Sequence, residues 1–99
     1  SVGLLTTGIG KSNAAAGVAV LLALRQVEAV VNFGCGGAFP ASGLETGDLA
    51  VADAEFFGDE GALTPDGFVD MEGLGLPLHS EGDRDYFNRI PCDADLLGQ

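Results

Sequence analysis

The chain has 99 residues, 16 of them glycine, and a formal net charge of −11. That length suits one small domain. So acidic a balance argues against nucleic acid and anionic membranes as partners, because both want a basic face. The charge is lopsided. Residues 1–44 carry Lys11, Arg25 and Glu28, a net of +1, while residues 45–99 carry fourteen acids against Arg84 and Arg89, a net of −12. The acids read first as solubility. They show no D-x-D-x-D-G loop or comparable ligand spacing, so no metal is expected. Cys35 and Cys92 form no CxxC pair or disulfide framework, and a reducing, cytosolic setting is expected. Residues 14–24 are too few to span a bilayer, and Arg25 follows them.

The chain opens at Ser1 inside an apolar run and stops at Gln99 just past a helix start at Asp93-Ala94-Asp95-Leu96-Leu97. The expectation is that residues 1–99 are the central part of a single domain, with N- and C-terminal portions missing. Val2 to Thr7 reads as the end of a buried strand. Lys11 to Arg25 reads as a helix, apolar almost all round through Ala14, Val18, Leu21 and Leu24. A helix of that kind is sandwiched between a sheet and other protein. Glu28 to Phe33 reads as a second strand, its β-branched centre suited to burial on both faces of a parallel sheet. Together these three elements predict a right-handed βαβ unit.

Pro40 to Gly47 reads as a loop and Asp48 to Phe57 as a third strand. Residues 58–78 are punctuated by Gly58, Gly61, Pro65-Asp66-Gly67, Gly73, Gly75 and Pro77. That pattern predicts mostly loop, with a short strand at Gly67 to Val69. Gly82 to Pro91 is polar and expected to be exposed. The pattern contains neither an internal repeat nor a domain boundary.

Two glycine-rich turns close the first two strand-like runs. They are Thr6-Thr7-Gly8-Ile9-Gly10-Lys11-Ser12-Asn13 and Asn32-Phe33-Gly34-Cys35-Gly36-Gly37-Ala38-Phe39-Pro40. Bare peptide groups after strands stand where α/β sheets bind small molecules. Gly10-Lys11-Ser12 is not a P-loop, because Leu5 occupies the position of its first glycine. Neither turn completes GxGxxG, since Asn13 and Phe39 stand where the last small residue belongs, and a dinucleotide-binding domain is the weakest reading. The first turn can receive an anion on the N–H groups that open the helix. The plainer alternative is a tight turn made by Gly8 and Gly10, with Lys11 solvated. The second turn places three glycines within four residues, at a cost in backbone entropy. Either a ligand-facing wall or a crowded turn against a neighbouring helix accounts for that cost.

Thr7-Gly8-Ile9-Gly10-Lys11, an Ala-rich helix, Asn-x-Gly-x-x-Gly ending a strand and Gly47-Asp48-Leu49 opening the next resemble, in order and spacing, the purine nucleoside phosphorylase and nucleosidase superfamily. The resemblance covers roughly residues 4–60. Phe39-Pro40-Ala41-Ser42-Gly43-Leu44, Gly58-Asp59-Glu60-Gly61 and Thr64-Pro65-Asp66-Gly67-Phe68 are similar to runs of its futalosine hydrolase subfamily. The resemblance implies an α/β fold of three layers with a mixed sheet, phosphorylase/hydrolase-like, of which this chain is a partial segment. It implies cleavage of the N-glycosidic bond of a small-molecule purine nucleoside, futalosine on a menaquinone-biosynthesis route. It also implies a homo-oligomer and no cofactor.

By the same resemblance, Ile9 lines the site near the ribose and its 5′ substituent, and Cys35, Gly36 and Gly37 form the wall against ribose and base. Many relatives carry serine where Cys35 stands, and in the phosphorylases that serine helps hold phosphate. A thiol is a poor donor in its place, which favours hydrolysis over phosphorolysis. Cys35 is not expected to be a nucleophile, since no histidine supports it and His79 is placed in a solvated loop. The family's catalytic acid and water-activating glutamate are expected outside these residues. Glu55, Asp59 and Glu60, the nearest local carboxylates after a strand, read first as a loop or subunit-contact cluster and second as catalytic groups. The alternatives are a methylthioadenosine/adenosylhomocysteine nucleosidase, a phosphorylase, and a non-catalytic nucleoside-binding module.

Overall fold

A computed structural model describes residues 1–98; Gln99, the last residue of the expected domain segment, lies outside them. The chain divides into two units, Ser1–Ser42 and Gly43–Gln99. Each is described by itself.

The first unit holds one helix, α1 (Lys11–Leu24), and a 3₁₀ turn, Pro40–Ser42. The predicted helix is present, one residue shorter at its end. It starts because Gly10 turns the chain at φ 99° and its carbonyl accepts from the Ala14 N–H at 3.0 Å. Asn13 ties the entry by donating from Nδ2 to the Ile9 carbonyl at 2.7 Å. It ends where Arg25 becomes extended, at φ −136° and ψ 143°. One stripe, Ala14, Gly17, Val18 and Leu21, is half-buried, at the spacing of a single helical face. Gly17 sets how closely that face packs. A Cβ there would lie 2.6 Å from Thr7 Cγ2 and 3.7 Å from Leu5 Cδ2.

The predicted strands Val2 to Thr7 and Glu28 to Phe33 form no ladder among the described residues, so the βαβ unit is not closed. The reason is physical. Parallel pairing is less stable per residue than antiparallel, and parallel sheets occur with both faces covered. The helix α1 could cover at most one such face. Val2, Leu4, Val31 and Phe33 accordingly stand exposed.

Among the described residues, the second unit contains three two-stranded antiparallel sheets. β1 (Ala54–Phe56) precedes the hairpin of β2 (Gly61–Thr64) and β3 (Gly67–Asp70), which runs into the single-turn helix α2 (Met71–Leu74). A second hairpin follows, of β4 (His79–Glu81) and β5 (Arg84–Tyr86). β6 (Arg89–Pro91) then returns to pair with β1, and α3 (Ala94–Leu97) closes the unit. The predicted helix start is α3. The Asp93 carboxylate caps it by accepting from the N–H groups of Asp95 and Leu96, as a short acidic side chain at that position does.

The predicted third strand shrinks from Asp48 to Phe57 down to β1. Its first residue is spent on a turn: Asp48 Oδ2 accepts from the Glu45 N–H at 2.8 Å, and the Asp48 N–H donates to the Glu45 carbonyl at 3.0 Å. Its ladder is then no longer than β6, which pairs Ala54 with Pro91 and Phe56 with Arg89.

Residues 58–78, expected to be mostly loop, hold a full hairpin, with the expected strand at Gly67 as its second arm. Pro65 and Asp66 form its two-residue loop. Gly67, at φ 120°, donates no side chain but offers its carbonyl to Thr64 Oγ1 at 2.7 Å. The polar stretch 82–91 is also ordered into strands, and His79 lies on β4 rather than in a loop. Gly82 carries the positive φ, 63°, of the Gly82-Asp83 loop, which matches the right-handed strand twist.

Among the described residues none is buried, and the accessible surface is 8802 Å². Large apolar side chains of each unit stand exposed, among them Val2, Phe33, Leu49 and Leu63.

Candidate functional site

The two glycine turns differ in conformation. Gly8 and Gly10 have φ of 92° and 99°, values a side chain rarely adopts. Ile9 is held between them with 96% of its surface exposed. The Thr7 hydroxyl donates to the Gly8 carbonyl at 3.0 Å, so this turn is locally braced. Gly34, Gly36 and Gly37 are different. None has a positive φ, and a Cβ added to any of them meets nothing within 4 Å. The crowded-turn reading of the second turn thus finds no crowding atom among the described residues. Cys35 is a free, exposed thiol.

Among the described residues, neither of two cavities is lined by these residues. A groove of about 430 Å³ runs beside α1, walled by Leu5, Thr7, Gly17, Val20 and Leu24. It includes none of Ile9, Cys35, Gly36 and Gly37. A depression of about 400 Å³ in the second unit is lined by Phe56, Asp70, Glu72, Asp85, Tyr86 and Asn88 among others.

Asn88 organises that second unit. Its Nδ2 donates to the carbonyls of Phe57 at 2.7 Å and Glu60 at 2.8 Å, and its Oδ1 accepts from the Met71 N–H at 2.8 Å. Its own carbonyl accepts from the Phe57 N–H at 2.8 Å. One half-buried amide thereby joins the end of β1, the loop to β2 and the start of α2. An amide is suited to this, because it offers two donors and an acceptor from one planar group. Composition gave no sign of it. The one available signal was an asparagine directly after Tyr86 and Phe87, in a stretch otherwise rich in charge.

The carboxylates expected as a loop or contact cluster fall on β1 and the turn that follows it. Glu55 faces Ile90 across the β1–β6 ladder, Glu60 lends its backbone carbonyl to Asn88, and Asp59 lies in the turn between them. Nearby, His79 stacks on Tyr86 at 5.9 Å and 25°. The Arg84 guanidinium reaches the Tyr86 hydroxyl at 3.4 Å. That hydrogen bond, with the charge interaction of the same pair, holds the Arg84 pKa above its usual value. Among the described residues no group of three His, Cys, Asp or Glu side chains is placed to hold a metal ion. No described helix is long and apolar enough to cross a membrane.

Comparison with known proteins returns one family, described as the phosphorylase superfamily, matching residues 1–97. A futalosine hydrolase of Thermus thermophilus is 39% identical over 98 residues, covering 96% of this chain and 40% of that protein. A futalosine hydrolase of Acidothermus cellulolyticus is 41% identical over 73 residues, covering 74% of this chain and 29% of that protein. A 5′-methylthioadenosine/S-adenosylhomocysteine nucleosidase of Glaesserella parasuis is 34% identical over 110 residues, covering 97% of this chain and 47% of that protein. The chain thus spans less than half the length of these relatives. No solved structure matches significantly.

Proposed function

Since the chain belongs to the phosphorylase superfamily, we propose that the protein is a nucleosidase that hydrolyses the N-glycosidic bond of futalosine, releasing hypoxanthine for a menaquinone-biosynthesis route. The observation that carries the proposal is the second glycine turn. Among the described residues, three glycines stand there with neither a left-handed backbone nor an atom within 4 Å of an added Cβ. A substrate packed against the bare backbone supplies the missing reason. The choice of futalosine rests on the relatives that cover nearly all of this chain. Identity is 39% to the futalosine hydrolase of Thermus thermophilus and 34% to the methylthioadenosine/adenosylhomocysteine nucleosidase of Glaesserella parasuis.

In this reading Cys35, Gly36 and Gly37 lie against ribose and base, and Ile9 lies near the 5′ substituent. Cleavage passes through an oxocarbenium-like state. It needs an acid to protonate the departing purine and a base to orient water below the sugar. None of the residues described above is assigned either role. The chain's own part is to hold the sugar and to exclude bulk water from it. Cys35 offers only a weak S–H donor, which suits a site that uses water rather than one that must bind phosphate. No cofactor is required. The fold is the three-layer α/β arrangement with a mixed sheet, the setting is cytoplasmic, and the assembly is a homo-oligomer with residues 58–77 at a subunit contact. The exposed apolar surface of the second unit supports that contact.

The test is release of free base by the protein from futalosine and from methylthioadenosine, each with and without phosphate. Phosphate-independent release of hypoxanthine from futalosine is expected. Release only with phosphate makes the protein a phosphorylase. Efficient cleavage of methylthioadenosine with none of futalosine moves it to the other nucleosidase group, and tight nucleoside binding without turnover makes it a binding module.

A further inference from the structure

We draw no further inference here: the strongest candidate, the outward face of the β2–β3 hairpin on which the cross-strand neighbours Leu63 and Phe68 stand 87% and 51% exposed, is an unpartnered apolar face, and nothing in the structure shows what covers it.

Discussion

Replacing Gly36 or Gly37 by alanine separates the two explanations of the second glycine turn. If the turn is bare for the sake of a ligand, the fold has no objection to a methyl group. Neither glycine has a positive φ, and an added Cβ finds nothing within 4 Å. Stability then stays within roughly 0.5 kcal/mol, as for other exposed positions. It can even rise by about 0.4–1 kcal/mol, because alanine restricts the unfolded chain. The ligand, by contrast, would meet the new methyl directly. Overpacking a close contact costs about 1–3 kcal/mol, which is a loss of roughly 5- to 150-fold in affinity. Thermal unfolding and the kinetics of hypoxanthine release from futalosine read the two quantities separately. The expected result is an unchanged or slightly raised midpoint with a KM raised at least fivefold by one of the two variants. An unchanged KM in both variants would refute the ligand wall. A midpoint lowered by several degrees with normal KM would show that protein, not substrate, occupies the space.

Three further outcomes follow from the packing. Asn88→Ala removes three hydrogen bonds, of which the exposed one to Glu60 passes to water cheaply. A loss of about 1–3 kcal/mol is expected, read by urea unfolding. The Met71 amide should exchange with solvent faster in that variant and stay protected in Asn88→Asp, which keeps the accepting oxygen; equal protection in all three proteins would count against the bond. Gly17→Ala should destabilise the protein, although alanine favours helix by about 1 kcal/mol. Its Cβ would lie 2.6 Å from Thr7 Cγ2, so Thr7→Ser in the same chain should restore stability, and a double-mutant cycle with no coupling would contradict the contact. Gly61→Ala should disorder the β2–β3 hairpin, because its Cβ would collide with the Val69 carbonyl oxygen and lie 2.6 Å from Phe68 Cζ. Unchanged hairpin shifts in an NMR spectrum would refute that.

What the sequence made legible was local chemistry. α1 followed from its apolar run and the glycines before it. The cap of α3 followed from Asp93, whose side chain reaches only its own neighbours. Of the β2–β3 hairpin only the short second arm at Gly67 to Val69 was legible, while its first arm, Gly61–Thr64, lies in a stretch whose glycines and prolines read as loop. What failed depended on partners distant in sequence. The parallel strands Val2 to Thr7 and Glu28 to Phe33 were read from burial patterns, yet their ladder needs neighbours on both faces. β6 pairs with β1 from over thirty residues away, so no window of sequence around Arg89 contains its partner. Asn88 has the same difficulty, since its bonds span 17, 28 and 31 residues. The glycine turns themselves were legible as positions, and their roles at a substrate are proposed from family resemblance.

The two turns show why glycine counts alone are a poor guide to a site. Gly8 and Gly10 are explained within the fold. Their φ values near 90–100° are ones that side chains avoid, and a Cβ on Gly8 would also crowd Asn13 Nδ2 at 3.2 Å. The residue between them, Ile9, is then projected outward as a consequence of backbone geometry, whatever it later touches. Among the described residues nothing of that kind accounts for Gly34, Gly36 and Gly37, although they cost the same conformational entropy on folding. A ligand is therefore proposed to account for the glycines of the second turn, whereas the backbone itself accounts for those of the first. Placing Cys35 among those glycines adds a restriction on chemistry. In the proposed site Cys35 offers a weak S–H donor, a poorer hydrogen-bonding group than a hydroxyl. On the proposed reading, phosphate independence and sensitivity to a methyl group at Gly36 or Gly37 are expected together. A protein showing the second without the first would keep the substrate wall and lose the hydrolytic reading.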